Sequence, residues 1–364
     1  MIDVARIEVS EGALRHNIAA FRSISDDGVA LSVAIKANGY GHGLEEVVRC
    51  VEFHIDAFQV DDLSELRRLR AISNRRAMVL GYVADEDVAE AVALGGELAL
   101  YDPEQLPALE AARATVHLKV DTGFGRLGVA PENLERLLDA ISRAKIRMAG
   151  VYSHLACIKT SSDPEGSRSV EDQTRLYEEA VHTVWERHPE AIRHLSATAG
   201  AMTDLPSYDL LRLGIGIYGE SPTSDLGASL NVRPCLRWVS CLAQVKRLQK
   251  GHSVGYDRTF IAPESMMLGL VPQGYSDGYN RLLSNIGEVL VGGIRCRVIG
   301  RVSMNMLAID LSNVPHPKRA AEVVLIGQQE GEAIRPHEVA RLTNTNVYEV
   351  LTSISPSLPR AIVR

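Results

Sequence analysis

The stretch Val33-Ala34-Ile35-Lys36-Ala37-Asn38-Gly39-Tyr40-Gly41-His42-Gly43 sets the frame for the whole chain. The run from Val29 to Ile35 is apolar with little alternation, as in a strand whose two faces are both covered in a parallel sheet. It ends on one lysine. Three glycines within five residues follow, and Leu44-Glu45-Glu46-Val47-Val48-Arg49-Cys50-Val51 then has helical spacing. An amine at the carboxyl end of a buried strand is hard to solvate. Desolvation disfavours its charged form and frees a lone pair for Schiff-base chemistry. The glycines let backbone N–H groups approach an anion at the start of the next helix. Taken alone, Lys-x-Asn-Gly reads more readily as a surface lysine before a turn.

Outward from this stretch, short apolar runs alternate with longer amphipathic ones. Candidate strands span 29–36, 56–60, 77–81, 97–100, 116–120, 148–153, 192–196 and 210–215, with helical patterns such as 62–71, 131–143 and 170–187 between them. Eight such repeats predict a (β/α)8 TIM-like barrel. Residues 219–234 are rich in Ser, Pro, Gly and Asp and read as a linker. Beyond them the runs 236–248, 266–271, 287–291, 295–299, 306–310 and 322–326 are closely spaced, with turn residues and no crossover helices between them. They predict a mainly antiparallel β domain, followed by a helical stretch at 335–342. The expected domains are a barrel over 1–230 and a β domain over 231–364, with residues 1 to about 10 free to pack with the latter.

A chain of 364 residues suits a barrel plus a second, smaller domain. Its 46% hydrophobic and 23% charged residues are those of a globular protein. The net charge of −7 is dispersed, which argues against nucleic-acid and membrane-surface partners. Cys50, Cys157, Cys235, Cys241 and Cys296 are odd in number and scattered, pointing to a reducing compartment rather than a disulfide framework or zinc cage. The charged start and the lack of a run of membrane-spanning length complete the expectation of a cytoplasmic enzyme.

In a barrel of this kind, chemistry belongs to the loops after the strands. After the fifth strand comes Lys119-Val120-Asp121-Thr122-Gly123-Phe124-Gly125-Arg126-Leu127-Gly128. Its glycines permit a tight turn that swings Arg126 inward, where a guanidinium can grip a carboxylate with two hydrogen bonds. His154 follows the sixth strand, and Arg212-Leu213-Gly214-Ile215-Gly216 ends the eighth, again with N–H groups that suit a phosphate. The second domain adds Gly274-Tyr275-Ser276-Asp277-Gly278 and Arg301-Val302-Ser303-Met304-Asn305. Taken alone, each of these segments reads as a turn.

Together, in this order and spacing, they resemble the alanine racemases, fold-type III enzymes that use pyridoxal 5'-phosphate (PLP). The resemblance runs over essentially the full length and rests on Ala34-Ile35-Lys36-Ala37-Asn38-Gly39-Tyr40-Gly41-His42-Gly43, the Lys119–Gly128 string and Gly274-Tyr275-Ser276-Asp277-Gly278. It implies that Lys36 holds PLP as a Schiff base and that Tyr275 reaches the same site from the other subunit of a head-to-tail homodimer. Arg212 would face the pyridine nitrogen, and His154 would link Tyr275 to Arg212. Tyr40, Thr198 and the N–H groups of Gly214 and Ile215 would hold the phosphate. Arg126 and the N–H of Met304 would hold the carboxylate of a small amino-acid substrate. The implied activity interconverts L- and D-alanine, supplying D-alanine for peptidoglycan.

Racemisation removes a weakly acidic Cα proton and returns one on the opposite face, so it needs two bases, here Lys36 and Tyr275. A tyrosine works near neutral pH only if its pKa falls, and Arg212 and His154 are the expected cationic neighbours. An arginine at the ring nitrogen keeps that nitrogen unprotonated, because guanidinium does not give up its proton. Three segments depart from the family pattern: Ser196-Ala197-Thr198 where many relatives carry Ala-Asn-Ser, Asn305 for Asp, and Pro356 for a tyrosine after Ile354-Ser355. The last implies a larger or differently lined entrance and keeps open a racemase of broader range, for serine among others. A decarboxylase of the same fold type lacks a use for Tyr275, and a non-enzymatic PLP-binding barrel would lack the second domain. Lys119 matches a lysine that is carbamylated in some relatives, and the eleven histidines show no paired ligand spacing for a metal.

Overall fold

The structure, a computed structural model, describes residues 4–157, 163–223, 226 and 230–364. Two compact units make it up. One comprises Leu14–Lys36 and Val48–Arg233; the other comprises the described residues up to Ala13, Ala37–Val47 and Pro234–Arg364. The division differs from a single cut at residue 230, because the glycine loop after Lys36 belongs with the C-terminal residues.

Strand β1 (Arg6–Ser10) is part of the second unit. The first unit is built on β2 (Ala30–Ala34), β3 (Ala57–Val60), β4 (Arg76–Val79), β5 (Gly96–Leu100), β6 (Thr115–Lys119), β7 (Arg147–Tyr152), β8 (Ile192–His194) and β9 (Leu210–Leu213). They form one eight-stranded sheet in the order β8-β7-β6-β5-β4-β3-β2-β9. Every neighbouring pair is parallel. A parallel bridge between Ala197 and Arg212 joins its two ends, so the sheet closes into the expected barrel. All eight expected strands are present, each within a few residues of its expected bounds.

The helices between them follow their caps. Asp62 accepts the Glu65 N–H at 2.9 Å, starting the helix Leu63–Arg70, whose Leu63, Leu66 and Leu69 are buried at helical spacing. Asp163 accepts the Gly166 N–H at 2.9 Å and Pro164 occupies the first turn, so the helix Pro164–Trp185 begins six residues before its apolar face does at Val170. The expected linker at 219–234 lies in part outside the described residues, at 224–225 and 227–229.

The second unit contains β10 (Leu236–Cys241), β11 (Gln244–Leu248), β12 (Ser253–Val254), β13 (Phe260–Ile261), β14 (Met266–Val271), β15 (Glu288–Val291), β16 (Ile294–Arg297), β17 (Leu307–Asp310), β18 (Glu322–Gln329), β19 (Glu332–Ile334) and β20 (Arg360–Val363). Its larger sheet runs β16-β15-β18-β10-β1-β20 with β19 on β18; β11-β14-β17 and β12-β13 are separate sheets. Among the described residues of this unit, only β1 and β20 pair in parallel. The single run expected over 236–248 is two strands. The Leu242 N–H donates to Ala321 O and the Ala243 N–H to Leu270 O, so the chain crosses from one sheet to another at that point. Trp238, fully buried on β10, finds a partner for its indole N–H in Gln273 Oε1 at 2.9 Å. Among the described residues no helix is long and apolar enough to cross a membrane.

Candidate active site

Strand β2 stops at Ala34, two residues before Lys36. The next residues turn the wrong way: Ala37, Asn38, Gly39 and Tyr40 have φ of 51°, 55°, 60° and 52°. A left-handed conformation costs a non-glycine residue about 1–2 kcal/mol, and three of these four are not glycine. Neighbouring bonds hold the turn. The Gly43 N–H donates to Asn38 O at 2.8 Å, and the Arg360 guanidinium donates to Gly41 O at 2.9 Å. A Cβ at Gly41 would stand 2.1 Å from Leu351 O, so no other residue fits there. Strain maintained in this way clusters at functional sites.

The burial expected at Lys36 is not found. Its side chain is 35% exposed and its ammonium lies 3.2 Å from Asp61 Oδ1, just past β3. The buried lysine of this unit is Lys119, at the end of β6 and 7% exposed. Desolvation, then the charges of Arg126, Arg212 and Lys36, pushes Lys119 down to about 8. Arg212 on β9 is also buried, at 4% exposure, and burial brings its guanidinium down to about 10. It donates to Ser153 O at 2.6 Å, Leu195 O at 3.0 Å and His194 Nδ1 at 3.1 Å, and to His194 O. Its Nε–H has no acceptor among the described residues.

His154 lies 3.5 Å from Arg212 through Nδ1 and packs against the Phe124 ring. Desolvation and the charges of Arg212, Arg126, Lys119 and Lys36 push it down to about 3. The expectation of a cationic His154 is therefore corrected: it is a neutral hydrogen-bonding group. Lys36 just after β2, Lys119 at the end of β6, Arg126 on the turn after it and Arg212 near the end of β9 lie at the carboxyl ends of parallel strands and so at one end of the barrel.

Arg126 reaches that end on a turn built by Asp121, a residue the motif reading passed over. The Asp121 carboxylate accepts the N–H groups of Gly123, Phe124, Gly125 and Arg126 at 2.8–3.1 Å. Gly123 and Gly125 have φ of 122° and 72°, so the turn requires glycine at both. The Arg126 guanidinium lies over the Phe124 ring at 4.1 Å and has no hydrogen-bonded acceptor among the described residues. Thr198 Oγ1 accepts the N–H of Gly214 at 3.0 Å and of Gly216 at 3.3 Å. The Gly214 donor is thus used within the protein, and the Ile215 N–H is left without a partner among the described residues.

Tyr40, Tyr275 and Met304 lie in the second unit. Tyr275 opens a short 3-10 turn and is 43% exposed. Its N–H donates to Ser303 O at 3.1 Å and the Ser276 N–H donates to Met304 O at 3.0 Å, so the Tyr275 and Met304 segments are one layer. A Cβ at Gly274 would stand 2.2 Å from Ser303 O, which explains the glycine before the tyrosine. Met304 is 55% exposed and its N–H has no partner among the described residues. The Tyr40 ring packs on Tyr348 with centroids 6.2 Å apart. The Ser355 N–H donates to Asp277 O at 3.1 Å, which anchors the turn containing exposed Pro356 beside the Tyr275 segment.

In the barrel unit, a primary amine, a free guanidinium and the unpaired Ile215 N–H among cations suit a small ligand that carries a carbonyl and anionic groups. The comparisons with known proteins agree. The family model for the N-terminal domain of alanine racemase matches residues 9–222, and that for the C-terminal domain matches 235–362. The alanine racemase of Syntrophobacter fumaroxidans is 35% identical over 360 residues, covering 96% of this chain and 94% of that protein. That of Symbiobacterium thermophilum is 36% identical over 364 residues, covering 97% and 95%. Among solved structures, the biosynthetic alanine racemase of Pseudomonas aeruginosa superimposes with a TM-score of 0.86 at 32% identity, covering 99% of each chain. The Bacillus anthracis alanine racemase, solved with bound L-Ala-P, gives a TM-score of 0.92 at 26% identity, covering 100% of this chain and 96% of that one. The chain belongs to the alanine racemase family.

Proposed function

We propose that this protein interconverts L- and D-alanine with PLP, its two bases being Lys36 and the Tyr275 of a second copy of the chain. The single observation that carries the reading is that the parallel barrel strands bring Lys36, after β2, to the same end as Lys119 on β6, Arg126 on the turn after it and Arg212 on β9, with His154 after β7 lying 3.5 Å from Arg212. The residues fit PLP: Lys36 supplies the amine that its aldehyde needs, and Thr198, Tyr40 and the unpaired Ile215 N–H supply donors for its phosphate. Gly214 acts through Thr198. The Nε–H of Arg212 is the donor left for the ring nitrogen. When bound, the cofactor withdraws electron density from Cα and so makes its proton removable.

The chain's own groups do the rest. Arg126 and the Met304 N–H take the substrate carboxylate and fix which face of Cα meets which base. On one face Lys36 Nζ exchanges a proton with Cα; on the other Tyr275 Oη does. One base accepts the proton that leaves, the other delivers one, and the reverse reaction swaps the roles. Neutral His154 can accept or donate a hydrogen bond without adding charge, so the cationic field is left to Arg212 and the other cations at this end of the barrel.

The exposed turn at Pro356 favours a second reading, in which serine and other small amino acids are also accepted. Racemisation followed by circular dichroism over a panel of L-amino acids tests both. Alanine should give the highest rate, and serine at a comparable rate would establish the broader reading. Lys36→Ala should lose turnover and leave no cofactor attached after borohydride reduction and unfolding. Cofactor still attached to that variant would remove Lys36 from its role.

A further inference from the structure

Beneath Arg212 a row of side chains crosses the barrel that the proposed reaction does not use. Arg212 Nη1 donates to His194 Nδ1 at 3.1 Å, His194 Nε2 lies 2.8 Å from His117 Nδ1, and His117 Nε2 lies 2.9 Å from Glu97 Oε2. Arg76 Nε closes the row on both Glu97 oxygens at 2.8 Å. His117 and His194 are fully buried on β6 and β8, and Glu97 sits on β5.

The two ends dictate the middle. An ionised carboxylate only accepts, so His117 must present Nε2–H to Glu97, which leaves its Nδ1 as an acceptor. That acceptor takes His194 Nε2–H, and His194 Nδ1 is left to accept from Arg212, which only donates. Both imidazoles are then neutral and aligned, with their lone pairs toward the guanidinium. Burial also favours their neutral forms, lowering both histidines. Burial alone would raise the Glu97 carboxyl, but hydrogen bonds from His117 and Arg76 hold it at about 2. With a donor-only guanidinium at one end and an acceptor-only carboxylate at the other, the row is an oriented dipole chain.

The barrel makes room for it. A Cβ at Gly150 on β7 would stand 2.6 Å from His117 Nδ1, and the β6–β7 register shifts between Val116 and His117. Tyr152 stacks on His194 with centroids 4.8 Å apart and rings 8° from parallel. A buried guanidinium with only carbonyl and imidazole acceptors needs a negative charge somewhere to offset its desolvation.

We propose that Glu97 is a remote positioning residue for Arg212, acting through the His117–His194 pair to set the orientation and field of the guanidinium. The proposal rests on Arg212 serving the reaction. The test compares the holoenzyme with Glu97→Gln, which keeps an acceptor but removes the charge, and Glu97→Ala, which removes both. Histidine 15N NMR should show His117 and His194 as neutral Nε2–H tautomers in the parent. It should show that pattern, and the exchange-protected Arg212 N–H signals, lost in Glu97→Ala. The kcat should fall about tenfold or more in Glu97→Ala and less in Glu97→Gln, with KM within about twofold, since outer partners of a functional group act mainly on its geometry.

A purely structural Glu97 would lower the melting temperature and leave the parent's kcat and tautomers, which overturns the proposal. So does a charged or Nδ1–H histidine in the parent. If Glu97→Ala does not fold, Glu97→Gln carries the same test at smaller amplitude. Altered tautomers with unchanged kcat would reject the catalytic role of the row. Loss of turnover in Arg212→Gln with the Glu97 variants active would separate that failure from a failure of Arg212 itself.

Discussion

The two units carry their functional side chains in opposite ways. In the barrel, Arg212, Lys119 and Thr198 are buried and each is fixed by packing or several hydrogen bonds. In the second unit, Tyr275 and Met304 are exposed and are fixed only through their backbone, by the paired strands of hydrogen bonds between 275–276 and 303–304. The barrel therefore holds preorganised charge, paid for by burial, whereas the second unit offers one base and one N–H donor on an open layer. An electrostatic site gains from low dielectric; a proton-transferring tyrosine needs access to a substrate that is not part of its own surface. The two halves should respond differently to mutation.

The largest effect is expected on the open side. Tyr275→Phe should lower racemisation by about 10²–10⁴-fold, the usual contribution of a general acid–base group. Lys36 would still remove and return a proton on its own face. In D2O one enantiomer of alanine should then take up deuterium at Cα without inverting, as read by proton NMR. Racemisation near the parent rate would remove Tyr275 as a base.

Arg126 comes next. Its guanidinium has no hydrogen-bonded acceptor among the described residues, so Arg126→Leu should cost about 10–100-fold in kcat/KM, chiefly through KM, as expected for losing charged hydrogen bonds to a carboxylate. Steady-state rates over a range of alanine concentrations make the split. A drop confined to kcat would mean that Arg126 acts on the transition state and not on carboxylate binding.

The smallest effect is expected from a buried charge. The folded protein releases the Lys119 proton near pH 8 and the unfolded chain near 10.5. Below the lower value both states are protonated and folding bears the cost of burying the charge. As pH rises between the two values the unfolded chain binds the extra proton, so stability rises with pH there. In carbonate-free buffer the parent should gain about 1–3 kcal/mol relative to Lys119→Met across that window, measured by urea unfolding. A difference independent of pH would show that Lys119 is not desolvated in solution.

How much of this was legible in the chain follows the same contrast. The barrel strands announce themselves, because a parallel strand covered on both faces reads as a short apolar run regardless of its neighbours. The strands β1 and β20 do not: β1 lies between β10 and β20, and β20 is an edge strand paired with β1, so each becomes a strand through partners far away in sequence. Lys36, Arg126, Arg212 and Tyr275 were visible as motif residues. Their surroundings were not: Asp61 beside Lys36 and the His194–His117–Glu97 row come together across strands far apart in sequence, whereas the Asp121 carboxylate under the Arg126 turn is local. The Asp-Thr-Gly of the Arg126 loop did carry a signal for Asp121, as aspartate before glycine commonly caps its own turn. The neutrality of His154 had no such signal, because it follows first from desolvation and then from four cations, both of which only the folded barrel supplies.

The central claim is that the proton on one face is moved by Lys36 and on the other by Tyr275 from another copy. Mixing Lys36→Ala with Tyr275→Phe protein tests it most directly. Neither variant has both bases, but after random subunit exchange half of the dimers are mixed and half of their sites hold Lys36 and Tyr275 together. Racemase activity should return to about a quarter of the parent level per subunit. If mass labelling shows that subunits have exchanged and activity stays at the level of the separate variants, both bases come from one chain and the account is contradicted.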